Sequence, residues 1–414
     1  MRRVEPREAA RTRRSPVDPE ALRDVIPIVE DVRARGEEAL REHSERFGDI
    51  GPGEPLTRSR RSLEESFRIL PAEQRDALRR VAGRIEGFAR SQLAGVEDLS
   101  VEVLGGRAGH RWVPVESVGA YAPGGRHPLP SSALMTVIPA RVAGSTTVWV
   151  ASPRPTAATC AAAFVAGADG LIAAGGAQAI ASLAFGAVSE PCDLIVGPGS
   201  KWVTAAKKHL YGEVGIDGLA GPSEILVIAD DGADPALVAA DLLAQAEHDT
   251  AAIPSLIATS AALADRVEAE IARQLDDLPT AETARAALGN GFITVVSDLG
   301  EAVGISDSLG PEHLALHVSD PGKLAGRLRS YGSVFTGAGS AEAFADYGAG
   351  PNHVLPTGGA ARFQSGLSVL TFLRAPTWLR LDDPTQLIGD TALLARLEGL
   401  EAHARAALLR GSQA

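Results

Sequence analysis

Residues 113–152, VPVESVGAYAPGGRHPLPSSALMTVIPARVAGSTTVWVAS, decide the fold. A β-rich run (113–121) leads through a Gly/Pro loop into an apolar helical stretch from about Ser132 to Ala143, and a second β-rich run (146–152) follows. That is one strand–helix–strand unit of a parallel sheet. The alternation continues with a helix through Phe164, DGLIAAG (169–175), a helix after Gly176, DLIVG (193–197) and a helix from Ser200. After Gly221-Pro222 it restarts with EILVIA (224–229), a helix opened by Asp234-Pro235, and SLIATS (255–260). A helix carrying Leu263, Val267, Ile271 and Leu275 comes next, then FITVVS (292–297), LALHV (314–318) and GSVFTG (332–337). The fold class is α/β, with two tandem doubly wound, Rossmann-like domains at 111–222 and 223–376. An N-terminal helical region (1–110) is expected to pack on the second unit, and a small C-terminal helical tail (377–414) closes the chain.

With 414 residues the chain is long enough for two or three domains, and 45% hydrophobic with 22% charged residues is an ordinary soluble composition. No apolar run is long enough to cross a bilayer. A net charge of −12 argues against nucleic-acid binding, and two cysteines, Cys160 and Cys192, make no disulfide framework and suit a reducing, cytoplasmic setting. The start of the chain carries Arg2, Arg3, Arg7, Arg11, Arg13 and Arg14, interrupted by Glu5 and Glu8, and reads as a solvated, poorly ordered leader. One helical pattern runs from Pro19 through Pro27 to Phe47, another from Leu63 to about Leu93, and a last from Thr391 to Leu409.

Three loops of the first unit are rich in Gly and Pro: 121–125, 174–178 and 197–200. In a parallel sheet such loops lie at the carboxyl ends of strands, where backbone N–H groups can approach phosphates. Ordinary tight turns account for them equally well, and no G-x-G-x-x-G opens a helix. Four other segments hold clustered polar groups. The first is Gln245/His248, at the end of a helix that Asp234 caps and whose buried face is Leu237, Val238, Leu242 and Leu243. The others are GPEHL (310–314), DYGAGPNHVL (346–355) and Glu398/His403. Gln, His, Asp and His offer two nitrogens and two oxygens, a set that suits zinc. Glu312-His313 supplies two adjacent groups able to move protons near neutral pH. Taken singly, each cluster also reads as a cap, a turn or an exposed helix face.

The motifs VGAYAPGGRHPLPSSALM (118–135), GGAQAIASLAFG (175–186), GPGSKWVTAAK (197–207), AGPSEILVIAD (220–230), DLLAQAEHD (241–249), GPEHL, DYGAGPNHVLPT (346–357) and SGLSVLTFL (365–373) follow one another in order. With them the chain resembles the histidinol dehydrogenase family over about 19–409. The resemblance implies a zinc site of Gln245, His248, Asp346 and His403, with His403 and a substrate-binding Glu398 supplied by a second copy's tail. A homodimer with shared active sites follows. Ser131, Ser223 and His353 match substrate contacts, to which Gln245, His248, His313, Asp346 and His403 also belong. Glu312 and His313 match the catalytic pair, and Tyr121, Gln178 and Ser200 the NAD contacts. Ser200 stands where the family has Asn, so one amide contact is missing, although serine still caps a helix and makes one hydrogen bond.

The implied reaction is the four-electron oxidation of L-histidinol to L-histidine with two NAD+, the last steps of histidine biosynthesis. A covalent route through a thiol is excluded because neither cysteine lies in a motif loop. The nearest alternative is a zinc- and NAD-dependent paralogue acting on another small alcohol, such as a sulfonated diol, and Arg126-His127 beside Ser131 speaks for it. A zinc hydrolase with Glu312 as base would share the metal without needing the glycine loops.

Overall fold

Strands Ser117–Tyr121, Thr147–Ala151, Gly170–Ile172, Leu194–Val196 and Gly215–Ile216 are short, β-branched or alanine-rich runs, mostly buried on both faces as a helix-covered parallel sheet requires. The computed structural model describes residues 1–11, 15–124 and 128–411. Gly125, Arg126 and His127 of the first glycine loop, and Arg13 and Arg14 of the leader, lie outside the described residues.

Numbered within their own sheet, the five strands stand in the order 5-4-1-2-3. The second sheet, from Glu224–Ala229, Ile253–Ala258, Phe292–Val295, His313–His317 and Ser333–Thr336, has the same arrangement, 3-2-1-4-5. Each sheet gains one strand from the start of the chain, beside its third strand. Thr57–Ser59 pairs antiparallel with Gly170–Ile172, and Arg2–Arg3 pairs parallel with Phe292–Ile293. The sheets are therefore doubly wound and alike in topology.

Four expectations need correction. The N-terminal helices pack on the first unit, not the second. Pro19–Arg35 lies against the helices Gly176–Phe185 and Lys201–Leu210, Arg60–Ile69 against Ala157–Ala166, and Ala72–Leu93 against Pro130–Ala143. The reason is apolar complementarity: Val25, Val29, Val32 and Leu40 share one core with Ile180, Leu183 and Leu210. Region 1–110 is also not wholly helical, since Leu99–Val103 and Gly106–His110 form a hairpin onto which Thr377–Leu381 of the tail adds a third strand. The leader is ordered over residues 1–11, because its backbone pairs with the sheet and Arg3 meets Asp265 and Glu268 on helix Ala261–Leu275. Finally, Val354, Leu367, Val369 and Phe372, placed in the second unit from sequence, are buried in the first unit's core.

Helix breaks follow backbone chemistry. Pro27 is accommodated inside Pro19–Arg35, and the break falls at Gly36 with φ 59°. The second pattern is interrupted at Leu70-Pro71, and the tail is a hairpin of Thr385–Leu397 and Glu401–Gly411 turning at Gly399 with φ 77°. Phe372 is fully buried where chain 354–374 enters the first core. Phe372→Ala is expected to lower unfolding free energy by about 3–5 kcal/mol in a denaturant titration.

Candidate active site

Helix Pro235–Ala246 delivers the first site residue. Asp234 caps it by accepting from the Ala236 N–H (2.9 Å), and Val238, Leu242 and Leu243 are buried against the sheet, whereas Leu237 faces outward. The helix runs against the strand direction, so its last turn reaches the amino edge of the second sheet. Gln245 is fully buried there and its Oε1 lies 3.2 Å from Nδ1 of His313. One turn earlier, Asp241 Oδ2 lies 2.8 Å from His317 Nε2, also buried. Residues four apart on the helix thus meet residues four apart on the strand, and this two-rung ladder sets the register between them.

Glu312 and His313 sit where strand His313–His317 begins. Glu312 Oε2 accepts from the Glu224 N–H (2.9 Å), which ties it to the neighbouring strand. Burial raises its carboxyl well above the ordinary range, opposed by that hydrogen bond and reinforced by the carboxylates of Glu224, Glu342 and Asp346. Burial lowers the His313 imidazole to about 3, so it is neutral near pH 7. The short helix Glu342–Asp346 contributes two carboxylates to the same point. Glu342 Oε1 lies 3.3 Å from His313 Nδ1, and Asp346 Oδ1 lies 4.0 Å from His313 Nε2. Burial drives Glu342 far upward and Asp346 to about 7.

His353 is held by the Asp346 carbonyl at Nδ1 (3.1 Å) and by Ser132 Oγ at Nε2 (3.4 Å), and burial lowers it to about 4. Ser131, the serine expected from sequence, is half-buried in the first turn of Pro130–Ala143, next to Ser132. Ser223 directly precedes strand Glu224–Ala229, and its carbonyl accepts from Ile253. His248 lies past the helix end and is exposed in the single chain, yet its ring is close enough to disfavour positive charge on His313 and His353.

The donor set fits a cation. His313 Nε2, Glu342 Oε2 and Asp346 Oδ1 are ligand-type atoms that have no hydrogen-bond partner among the described residues. Two buried carboxylates, Glu312 and Glu342, a half-buried one, Asp346, and a neutral imidazole, with no Lys or Arg ion pair to them among the described residues, are an arrangement that a divalent ion stabilises. His313, Glu342 and Asp346 offer ligand atoms all within 4.8 Å of one another. This grouping overlaps the expected Gln245, His248, Asp346 and His403 without matching it. Glu398 and His403 are exposed on the tail hairpin, whose two helices pack mainly on each other. Among the described residues no hydrogen bond or ion pair joins either to the cluster within one chain. Sequence reading missed Glu342, although its position four residues before Asp346 places both on one helix face.

The Gly/Pro-rich loops converge at the carboxyl edge of the first sheet. Tyr121 Oη accepts from the Gly176 N–H (3.3 Å), and burial pushes its phenol up to about 12. Gly197, with φ 113°, abuts the Tyr121 backbone so closely that a Cβ would lie 2.2 Å from the Tyr121 carbonyl oxygen. Its loop is pinned by buried Lys207, whose Nζ reaches both the Gly197 carbonyl and Asp217 at 2.6 Å. Ser200 occupies the N-cap of Lys201–Leu210 but makes no capping bond through its side chain. Both cysteines are buried thiols pushed upward by desolvation, unsuited to nucleophilic work. Among the described residues no helix is long and apolar enough to cross a membrane.

Comparison with known proteins gives the same assignment by three routes. The family model for histidinol dehydrogenase matches residues 11–411. Histidinol dehydrogenase of Thermus thermophilus is 48% identical over 398 residues, 95% of each chain. That of Rhizobium meliloti is 44% identical over 93% of this chain and 91% of its own. A crystal structure of histidinol dehydrogenase from Elizabethkingia anophelis superposes with a TM-score of 0.91 at 31% identity, covering 99% of this chain and 96% of that one. The chain is an oxidoreductase and belongs to the histidinol dehydrogenase family.

Proposed function

We propose that the chain oxidises L-histidinol to L-histidine through histidinal, with two NAD+ and one zinc ion per subunit, as a cytoplasmic homodimer in histidine biosynthesis. The observation that carries this reading is a neutral His313 set between Gln245, Glu342 and Asp346, with Glu312 beside it. A zinc ion on Gln245, His248, Asp346 and a second copy's His403 would supply a Lewis acid that orients the substrate's amine and imidazole. NAD+ held near Tyr121, Gln178 and Ser200 would accept hydride.

The chain's own groups do the rest. Unprotonated His313 takes the hydroxyl proton through Nε2, the ring nitrogen that has no hydrogen-bond partner among the described residues. Glu312, whose carboxyl burial holds above its ordinary range and so makes a stronger base in its ionised form, draws a proton from water and gives the aldehyde hydrate. Ser131, Ser223, His353 and a second copy's Glu398 would position the substrate. The carboxyl groups of buried Glu312 and Glu342 and of half-buried Asp346 around the site favour a cationic amino alcohol and oppose a sulfonated diol.

The tail supports the dimer. Leu393, Leu394, Leu397 and Leu409 expose 60–76% of their surface on the hairpin that carries Glu398 and His403, an apolar face that a second copy would cover. Leu394→Glu with Leu397→Glu is expected to give monomers by analytical ultracentrifugation with activity lost. A fully active monomer would end the shared-site reading. For the reaction itself, absorbance at 340 nm should rise with histidinol, stop with chelator and return with zinc. A rise with a sulfonated diol and none with histidinol would select the paralogue.

A further inference from the structure

The loop that carries Gln178 is held from outside its own unit. Asp49 lies just beyond helix Glu37–Arg46 and is 7% exposed. Its Oδ2 accepts from the Gly175 N–H (2.8 Å) and from Gln178 Nε2 (2.8 Å). Its carbonyl accepts from the Arg154 N–H (3.2 Å). Asp49 thus ties together the loops after two adjacent strands, Thr147–Ala151 and Gly170–Ile172. Burial of this carboxylate is unfavourable and raises its pKa, and the bonds from Gly175 and Gln178, together with the charge of Arg154, oppose the rise.

The double acceptance fixes more than position. An ionised carboxylate has no proton to donate and accepts from both partners, so Gln178 turns its NH2 toward Asp49. The amide oxygen is thereby directed away, over Gly176, whose φ of 57° and missing Cβ leave room for it: a Cβ there would lie 3.2 Å from Oε1. Among the described residues that Oε1 accepts no hydrogen bond.

We propose that Asp49 is a positioning residue that fixes Gln178 as a hydrogen-bond acceptor toward the dinucleotide, so that the group read there is a donor, a carboxamide N–H or a ribose O–H, and not a phosphate oxygen. The inference rests on the reading of Gln178 as an NAD contact. With Asp49 replaced, the amide can rotate and its acceptor role is no longer enforced.

A double-mutant cycle on the metal-loaded dimer tests this. Asp49→Ala is expected to raise KM for NAD+ about tenfold, the scale of one well-placed hydrogen bond, with KM for histidinol unmoved. Gln178→Ala should do the same, and the double variant should be no worse than Gln178→Ala alone, because Asp49 acts through Gln178. If Gln178→Ala leaves KM for NAD+ unchanged, the NAD contact itself fails. If Gln178→Ala raises it while Asp49→Ala does not, or if the two effects multiply, the role given to Asp49 is overturned. Should Asp49→Ala not fold, an exchange keeps the test open. Gln178→Glu sets two carboxylates together and should weaken NAD+. Asp49→Asn added to it restores a donor–acceptor pair and should recover affinity. No recovery would overturn the proposal.

Discussion

Replacing His313 by Asn is expected to lower kcat by about 100–10,000-fold, the range for loss of a positioned general base, while zinc content by elemental analysis stays at one per subunit. The expectation follows from three features of the site. The imidazole is buried and held near pKa 3, so it is a free base throughout the neutral range. Its Nδ1 is engaged by Gln245 and approached by Glu342, which leaves Nε2, without a hydrogen-bond partner among the described residues, as the nitrogen to which the proposed mechanism gives the proton. Asparagine keeps a polar group for Gln245 but cannot take a proton. A kcat within tenfold of the parent would remove His313 from the proton path. Loss of zinc along with activity would make it a ligand instead, as its closeness to Glu342 and Asp346 allows.

Glu312→Gln is expected to separate the two half-reactions. Supplied with histidinal, the variant should form histidine about 100-fold more slowly than the parent, because activation of water loses its base. Supplied with histidinol, its first turnover to the aldehyde should slow far less. The side chain stays in place, since a glutamine oxygen still accepts from the Glu224 N–H, and removing a carboxylate crowded by Glu342 and Asp346 relieves repulsion. Single-turnover absorbance with each substrate reads both steps. Equal slowing would assign Glu312 to orientation rather than to water activation.

The fold was legible because apolar runs such as EILVIA and TTVWVA need no context to declare buried parallel strands, and Asp234-Pro235 announces a helix start by local chemistry alone. What sequence could not supply was pairing between distant segments. Helices 19–35 and 72–93 show an apolar stripe but not which unit covers it, and Phe372 looks the same in either core. The strands 99–103 and 106–110 were missed because the first is exposed along its whole length and the second is mostly half-buried, so no core pattern marks them. At the site, Gln245, Asp346 and Glu312-His313 stood out as polar groups in apolar surroundings. Glu342 was hidden in an unremarkable AEAFAD helix, and Asp49 in a turn with no evident chemistry, since both acquire meaning only through partners far along the chain. The topology rule that ligands lie at carboxyl edges of strands covers the first sheet's loops but not the second sheet, where Ser223, Glu312 and His313 line the amino edge.

The most direct test of a single metal-dependent site that performs both oxidations is the ratio of NADH formed to histidinol consumed, measured with the metal-loaded protein and again after chelation. The account predicts a ratio of about two with metal, histidine as the sole product, and no turnover without it. A ratio of one with free histidinal accumulating, or turnover that survives removal of the metal, would contradict it.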